Sequence, residues 1–350
     1  MARMSKPGKV LVVQTAFLGD VILTLPLVQS IKSSFPDAEI DILVIPGTAE
    51  ALVNHPSIRE IIPFDKRGAD SGLNGFLRLA RRLRETGYDT AVVPHRSLRS
   101  AALARWAGIP RRIGFESSAG RFLLTDRLAY DKSAHEINRN LRLLEALGVK
   151  PSSQKHPELY PSVADREAVD RFLGAQSAGS TENLIGIAPG TVWNTKRWPA
   201  DRFADLAGKL LAEDWQVVVV GGRGDKDLLS RFFPAGMGSP VIDATGKLTI
   251  LQSAELIGRC RVLVCNDSAP MHLAAAVRTP VVALFGATVP AFGFGPVGPR
   301  DIVLETNGLS CRPCSIHGGR KCPIGSFVCM LNITPEQVVE AVNRVVEADV

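Results

Sequence analysis

Residues 9–27 read KVLVVQTAFLGDVILTLPL, and this stretch decides how the first half of the chain is interpreted. The apolar run Val10–Val13 is typical of a strand covered on both faces, as in a parallel sheet. Gly19 permits a tight turn before the helical pattern that follows it. Asp20 is therefore expected at the carboxyl end of the first strand, where open α/β sheets bind ligands. Two roles are open for its carboxylate: a general base for a substrate hydroxyl, or an N-cap of the helix.

Length and composition indicate a globular protein of two domains. A chain of 350 residues exceeds the size of most single cores, so two domains of about 150 residues each are expected. The composition, 45% apolar and 22% charged, is ordinary for such a protein. Residues 1–8 lack the apolar core of a signal peptide, and no run approaches the roughly 18 apolar residues that span a membrane. We therefore expect a cytosolic protein whose six cysteines are thiols or metal ligands.

The basic surplus lies in the first half of the chain. Residues 1–150 carry 22 lysines and arginines against 15 aspartates and glutamates, whereas residues 151–350 carry 19 against 20. Such a surplus favours nucleic acid, an anionic membrane or an acidic substrate as partner, or it is a solvated helix face. Much of it is arginine: Arg78, Arg81, Arg82, Arg84, Arg96, Arg99, Arg105, Arg111, Arg112 and Arg121.

Short apolar runs alternate with helical patterns in both halves. This alternation predicts two α/β domains, each a doubly wound parallel sheet with helices on both faces. Residues 149–183 are rich in proline, serine and glycine at both ends and mark the boundary. We assign residues 1–165 to the first domain, residues 180–334 to the second, and residues 335–350 to a final helix.

The first polar turn of the second half spans Pro189–Pro199 and follows the apolar strand pattern Leu184–Ala188. Thr191 and Thr195 offer hydroxyls and Lys196 offers a positive charge, which together suit a phosphate ester at the carboxyl end of a strand. The spacing is not that of a P-loop. Ordinary turn chemistry is the alternative interpretation.

A second strand, polar turn and helix span Val264–Ala276. Asp267 or Ser268 is expected to cap this helix, whose first N–H groups suit an anion such as a diphosphate. His272 is more often a packed residue in such a position than a catalytic one. The Gly-Gly-x-Gly of residues 221–224 does not match the dinucleotide fingerprint, which weakens an oxidoreductase interpretation.

Four stretches together resemble the lipopolysaccharide heptosyltransferases of glycosyltransferase family 9. They cover nearly the whole chain in order, and the run Trp193–Pro199 with the late cysteine loop is most similar to the heptosyltransferase II subclass. Thr191 stands where many relatives carry serine, which keeps the hydroxyl. The stretches are Phe17–Asp20 with Leu23–Pro26, Thr191–Pro199, Asn266–His272 and Phe285–Thr288.

The resemblance implies the GT-B fold: two Rossmann-like domains facing a cleft, with the final helix packing back on the first domain. It implies an inverting transfer of heptose from ADP-L-glycero-D-manno-heptose to the inner core of lipopolysaccharide, the second heptose onto the first. The acceptor would be Kdo-lipid A or heptosyl-Kdo-lipid A, reached by peripheral contact with the cytosolic face of the inner membrane, with no nucleic acid as partner. The alternatives are heptosyltransferase I, another family 9 transferase, or a sugar-nucleotide-binding protein without turnover.

The resemblance also assigns residues to the reaction. Asp20 is the expected general base, and Lys196 is expected to bind the donor diphosphate. Arginines of the basic first half, Arg96, Arg99 and Arg121, are expected to bind the anionic acceptor. The remaining residues expected to bind the donor are Thr191, Thr195, Asp267, Ser268, Ala269, Met271 and His272.

A cysteine-bearing loop spans residues 309–330. Its thiols are Cys311, Cys314, Cys322 and Cys329, and four thiols can hold a tetrahedral zinc ion. The gaps after Cys314 do not fit a paired Cys-x-x-Cys pattern, so packed thiols and disulfides remain open beside zinc. The reaction scheme requires no cofactor, and a structural zinc is the one cofactor that the loop suggests.

Overall fold

The chain folds into two compact units, residues 1–160 and residues 161–350. The structure, a computed structural model, describes residues 6–150, 156–176, 181–227 and 241–348. In these described ranges each unit contains one six-stranded sheet, and every strand pairing is parallel. The alternation in the sequence predicted this α/β architecture, and the prediction is confirmed.

The sheet of the first unit has the order β3-β2-β1-β4-β5-β6. Its strands are β1 Lys9–Val13, β2 Glu39–Val44, β3 Glu60–Pro63, β4 Thr90–Val93, β5 Arg111–Phe115 and β6 Asp126–Leu128. The helices of this unit are α1 Leu18–Ser34, α2 Pro46–Ala49, α3 Gly72–Thr86, α4 Leu98–Trp106 and α5 Glu136–Arg142.

The central strand β1 fixes where a ligand can bind in the first unit. Val10–Val13 is fully buried, as the apolar run predicted. Val10 pairs with Ile40 of β2 on one side, and Leu11 pairs with Ala91 of β4 on the other. The chain runs outward through β2 and β3 and then returns to β4, so the strand order reverses between β1 and β4. This reversal opens a crevice at the carboxyl ends of the two strands.

The second unit repeats the topology, with the order β12-β11-β10-β7-β8-β9. Its strands are β7 Leu184–Ala188, β8 Gln216–Val219, β9 Val241–Asp243, β10 Val262–Asn266, β11 Val281–Phe285 and β12 Ile302–Glu305. Its helices among the described residues are α6 Val163–Ala175, α7 Ala200–Ala212, α8 Ile250–Gly258, α9 Ala269–Val277, α10 Val328–Leu331 and α11 Pro335–Glu347. The reversal of strand order here lies between β7 and β10.

A buried tryptophan anchors the turn after β7. Trp198 is fully buried, its indole N–H donates to the carbonyl of Ile333 at 3.0 Å, and its backbone N–H donates to Asn266 Oδ1 at 2.9 Å. Asn266 in turn donates to the carbonyl of Pro189 at 2.9 Å. The turns that follow β7 and β10 are therefore tied together through one buried amide.

The final helix belongs to the hydrophobic core of the second unit. α11 packs against α7 and against strands of the second sheet. Its apolar stripe of Val338, Ala341, Val342 and Val345 joins the hydrophobic core of the second unit. The stripe is wide enough for one face of the helix to cover a sheet, and this face is buried in the core of the helix's own unit. Among the described residues, no helix has the length and apolar character needed to cross a bilayer.

Candidate functional site

Asp20 lies at the reversal point of the first unit, in the first turn of α1. Its Oδ2 accepts a hydrogen bond from the N–H of Phe17 at 3.2 Å, so the carboxylate does contribute to the start of the helix. Burial and the nearby charge of Glu136 raise the pKa of Asp20 to about 6, while backbone hydrogen bonds and Arg96 act in the opposite direction. A carboxylate with this pKa is ionised at neutral pH and still basic enough to accept a proton.

A second carboxylate is held near Asp20 by its own partners. Arg139 Nη1 and the hydroxyl of Tyr130 each donate to Glu136 Oε2 at 2.9 Å. The guanidinium of Arg96 lies over the Tyr130 ring at 4.0 Å from its centroid. Glu136 is therefore engaged in an ion pair and a hydrogen bond, whereas Asp20 has no side-chain ion pair among those that the structure describes.

Two basic groups at this edge were missed by the sequence analysis. Lys66 Nζ donates to the carbonyl of Thr15 at 2.8 Å, and the Thr15 hydroxyl lies 3.0 Å from His95 Nδ1. Burial, Arg67 and Arg99 lower the pKa of Lys66. Burial, then Lys66 and Arg96, lower the pKa of His95 to about 4. The positive charges behind these shifts are those of Lys66, Arg67, Arg96 and Arg99, and they indicate a concentrated positive potential at the carboxyl ends of β1 and β4, where His95 is neutral at pH 7.

The three predicted acceptor arginines lie around this edge. Arg99 Nη1 donates to the carbonyl of Lys66 at 3.5 Å, and Arg96 is exposed. The carbonyl of Arg96 accepts from the N–H of Ala119 at 3.1 Å, which ties the Arg96 segment to the segment that precedes Arg121. Arg121 is exposed at the start of a short 3₁₀ helix that packs against α4.

The reversal point of the second unit holds a partly buried ion pair. Lys196 Nζ lies 2.6 Å from Asp267 Oδ2, and these side chains are 13% and 9% exposed. The hydroxyl of Thr288 donates to the same Asp267 oxygen at 2.6 Å. The turns after β7, β10 and β11 thus meet at one carboxylate, at the edge of the sheet where parallel α/β sheets bind ligands.

The other predicted donor residues occupy several environments. Ser268 holds the N-cap position of α9, but its hydroxyl donates to the carbonyl of Asn266 at 3.4 Å instead of capping the first turn. Ala269 begins α9 and is partly exposed. Met271 and His272 are buried, so the Met271 side chain is part of the core. That these residues bind the donor stays a prediction.

The two threonines of the turn after β7 also differ. The carbonyl of Thr191 accepts from Arg197 Nη2 at 2.6 Å, and its side chain is partly exposed. Thr195 is buried, and its hydroxyl accepts from the N–H of Gly319 at 2.7 Å. Gly190 of the same turn has a steric reason to be glycine, because a Cβ there would lie 2.4 Å from Asp225 Oδ1.

All six cysteines are free thiols. Cys260 and Cys265 are buried in the second unit, as predicted, and Cys329 is buried as well. Cys311, Cys314 and Cys322 are partly exposed. Within the described ranges, no three His, Cys, Asp or Glu side chains are grouped closely enough to hold a metal ion.

Comparisons with known proteins identify the family of this chain. Residues 76–322 match glycosyltransferase family 9 (heptosyltransferase). The chain is 29% identical to lipopolysaccharide heptosyltransferase 2 of Escherichia coli K12, over 96% of this chain and 97% of that protein. It is 31% identical to an Escherichia coli lipopolysaccharide heptosyltransferase 3, over 78% and 82%.

Two solved structures share the fold over nearly the full length of both chains. One is a family 9 glycosyltransferase from Veillonella parvula, with a TM-score of 0.87, 27% identity, and coverage of 97% of this chain and 98% of that one. The other is the ADP-heptose lipopolysaccharide heptosyltransferase II of Escherichia coli, with a TM-score of 0.79, 27% identity, and coverage of 97% and 99%. The α/β fold is thus that of GT-B-like heptosyltransferase structures, and the chain belongs to glycosyltransferase family 9, the heptosyltransferases.

Proposed function

We propose that the protein is an inverting heptosyltransferase that moves a heptose from ADP-L-glycero-D-manno-heptose to the inner core of lipopolysaccharide. One observation about this family 9 chain carries the proposal. The point where the strand order reverses holds a carboxylate of raised pKa, that of Asp20, in the first unit, and a lysine beside a helix N-terminus, Lys196, in the second unit. The first suits a general base, and the second suits a diphosphate leaving group. The preferred acceptor ends in a first heptose.

Asp20 acts on the acceptor. Its carboxylate takes the proton from an acceptor hydroxyl, and that oxygen attacks the anomeric carbon of the donor from the face opposite the diphosphate. The bond from the anomeric carbon to the diphosphate oxygen breaks, and ADP leaves with the electron pair. Glu136 supports this role because its negative charge helps to raise the pKa of Asp20.

The second unit acts on the leaving group. The ammonium of Lys196 can offer a charge-assisted hydrogen bond to a phosphate oxygen while it keeps Asp267 as a neighbour. The N–H groups at the start of α9 point in the direction that favours an anion. The partly exposed Thr191 is the more available of the two threonines, since the hydroxyl of Thr195 is already bonded to Gly319.

The positive edge of the first unit suits an anionic acceptor. Lys66, Arg96 and Arg99 lie around the strand ends beside Asp20, so a carboxylate or phosphate of the acceptor would lower the mutual repulsion of these three cations, and the neutral His95 ring can offer it a hydrogen bond. A neutral acceptor would not reduce this repulsion. We therefore extend the acceptor site beyond the predicted arginines to Lys66 and His95.

One face of the first unit suits peripheral contact with the inner membrane. α3 and α4 are in contact, and Phe76 and Trp106 pack edge to face with ring centroids 6.3 Å apart. Exposed apolar side chains with basic neighbours are typical of surfaces that bind anionic bilayers. The exposed apolar residues are Leu73, Leu77, Leu98, Trp106 and Phe122, and the exposed arginines near them in sequence are Arg78, Arg81, Arg82, Arg105 and Arg121.

The function can be tested with two acceptors. The purified protein is incubated with ADP-heptose and an acceptor that ends either in Kdo or in heptose, and the products are identified by mass. We expect one added heptose on the heptose-terminated acceptor. Addition to the Kdo-terminated acceptor alone would reassign the protein to the first transfer. Donor binding without any product would instead favour a sugar-nucleotide-binding protein.

A further inference from the structure

We propose that the cysteine-bearing loop, residues 309–330, is a brace that holds the Lys196–Asp267 ion pair in position, with Gly318 and Arg312 as positioning residues for donor binding. The inference rests on the proposed function, because it takes this ion pair as part of the donor site. Two separate parts of the loop contact the two sides of the pair.

The first contact lies on the lysine side. The N–H of Thr195 donates to the carbonyl of Gly319 at 3.0 Å, and the N–H of Gly319 donates to the Thr195 hydroxyl at 2.7 Å. This reciprocal pair of hydrogen bonds fixes the backbone just before Lys196. The Lys196 side chain then runs over Gly318, where a Cβ would lie 2.9 Å from Lys196 Cγ and 3.0 Å from Cδ. Any residue with a Cβ at position 318 would therefore force the Lys196 side chain to move.

The second contact lies on the carboxylate side. Arg312 has a side chain that is only 6% exposed, and its guanidinium donates to the carbonyls of Gly286 at 2.6 Å and Thr288 at 2.8 Å. It also pairs with Glu305 Oε2 at 2.5 Å. The N–H of Cys314 donates to the carbonyl between those two, that of Ala287, at 2.9 Å. The turn after β11 is thus held at three successive carbonyls.

Both contacts converge on one oxygen atom. Thr288, whose carbonyl Arg312 holds, donates its hydroxyl to Asp267 Oδ2 at 2.6 Å, and Lys196 Nζ lies 2.6 Å from the same oxygen. Because the Asp267 carboxylate and the course of the Lys196 side chain are both fixed, the position at which the Lys196 ammonium can bind a phosphate is fixed as well. Preorganisation of this kind raises affinity because less freedom is lost when the ligand binds.

Two glycine substitutions provide a matched test. Gly318→Ala and Gly325→Ala change two glycines of the same loop with φ of +80° and +73°, so their backbone strain is similar. A Cβ at Gly325 would meet nothing within 4 Å, whereas a Cβ at Gly318 would displace Lys196. Calorimetry should show ADP affinity reduced about tenfold in Gly318→Ala, the order expected for a weakened charge-assisted bond, and unchanged in Gly325→Ala.

A double-mutant cycle separates positioning from a general loss of structure. In a Lys196→Ala background the lysine carbons that Gly318→Ala would push are absent and only the Thr195 hydroxyl, 3.1 Å from the added Cβ, remains, so the second substitution should reduce ADP affinity much less than it does in the wild type. Additive losses would overturn the brace. Wild-type protein that fails to bind ADP would overturn the proposed function as well, whereas normal wild-type binding with equal affinities in the two glycine variants would overturn the brace alone.

The arginine contact has its own control. Arg312→Lys keeps the charge but loses the planar fork, and we expect weaker ADP binding. Arg259→Lys removes a comparable fork, which bonds Glu255, Asp170 and the carbonyl of Arg166 away from the donor turns. This control should leave ADP affinity unchanged even if it lowers the melting temperature. Equal ADP affinity in both arginine variants and the wild type would show that Arg312 is not a positioning residue.

Discussion

Asp20 is both a helix-start residue and the proposed base, and an isosteric substitution separates the two. Asn in place of Asp20 can still accept the hydrogen bond from Phe17, so the melting temperature should change little. It cannot take a proton, so turnover with saturating substrates should fall about 10²–10⁴-fold. Steady-state kinetics and thermal unfolding measure the two effects.

The matched control for that variant is Asp165→Asn. Asp165 occupies the same position in the first turn of α6, where its Oδ2 accepts from the N–H of Ser162 at 2.8 Å. This variant should keep wild-type turnover. An Asp20→Asn enzyme that retained more than about a tenth of wild-type turnover would exclude the base role, because the expected loss from general-base removal is larger.

The raised pKa of Asp20 predicts the acid side of the pH–rate profile. The pKa is raised to about 6, and the base works only when it is deprotonated, so turnover should fall as the pH drops through that value and level off above it. The Asp20→Asn variant should lack this inflection in its residual rate. A wild-type profile that stays flat between pH 5 and pH 7 would contradict the assignment.

Lys196 should contribute directly to donor affinity. Lys196→Ala should weaken ADP binding about ten- to a hundredfold, since it removes a charge-assisted bond to phosphate. Lys209→Ala is the control, because Lys209 pairs with Asp205 and Glu336 on the exposed face of α7 and α11. Isothermal titration with ADP gives the comparison, and equal affinities for the two variants would remove Lys196 from the site.

Among single residues, the sequence singles out those in polar turns that follow an apolar strand pattern. Asp20, Lys196 and Asp267 could be singled out because each lies in the polar segment that follows an apolar strand pattern, and the family resemblance supplied the roles expected of them. Lys66 and Arg312 could not, since their importance depends on which turns the tertiary fold brings beside them. The sequence did contain a signal for His95, because His95 lies two residues after the end of β4, the strand that neighbours β1.

At the scale of elements, α3 provides a test of membrane contact. Charge reversal of Arg78, Arg81 and Arg82 should reduce binding to anionic vesicles at low salt, by about 1 kcal/mol for each residue that faces the surface. Arg78 and Arg82 already pair with Asp70 and Glu60, so Arg81 should account for the largest share. Vesicle flotation measures the change.

The control for α3 is charge reversal of Arg166 and Arg171 on α6, a helix of the second unit. These arginines lie outside the proposed membrane face, so vesicle binding should remain at the wild-type level. If the α3 variant binds vesicles as well as the α6 variant and the wild type do, the arginines of α3 form only a solvated helix face.

The cysteine-bearing loop can be tested by thiol labelling together with metal analysis. Cys311, Cys314 and Cys322 are partly exposed and Cys260, Cys265 and Cys329 are buried, so three thiols should react quickly and three slowly in the folded protein. Burial raises the pKa of Cys260 to about 12, which slows its reaction further. A structural zinc would instead appear as about one metal per chain, with loop thiols protected until a chelator is added.

The final helix shows what an amphipathic pattern leaves undetermined. The stripe on α11 correctly indicates a helix with one buried face, since Val338 and Val342 are fully buried. The pattern carries no information about which surface receives that face. In the structure this face packs on the apolar surface offered by α7 and the second sheet.

At the scale of the whole molecule, periodicity was sufficient to predict both sheets. Strand and helix patterns in alternation allow few topologies, because crossover connections between parallel strands are right-handed and usually join neighbours. The same reasoning placed the polar turns at the carboxyl ends of the strands. It could not predict that the turns after β7, β10 and β11 share one carboxylate, because side-chain contacts between turns depend on the final packing.

The parallel topology also has a consequence for how the chain acquires its structure during synthesis. No two neighbouring strands in the described sheets can be joined by a hairpin, so pairs such as Val12 with Val92 form only after a long loop has closed. Such topologies fold slowly, because the entropy of loop closure is lost before the contact is gained. The first sheet, however, is complete within residues 9–128. The first unit can therefore begin to fold on the ribosome before all strands of the second unit have been translated.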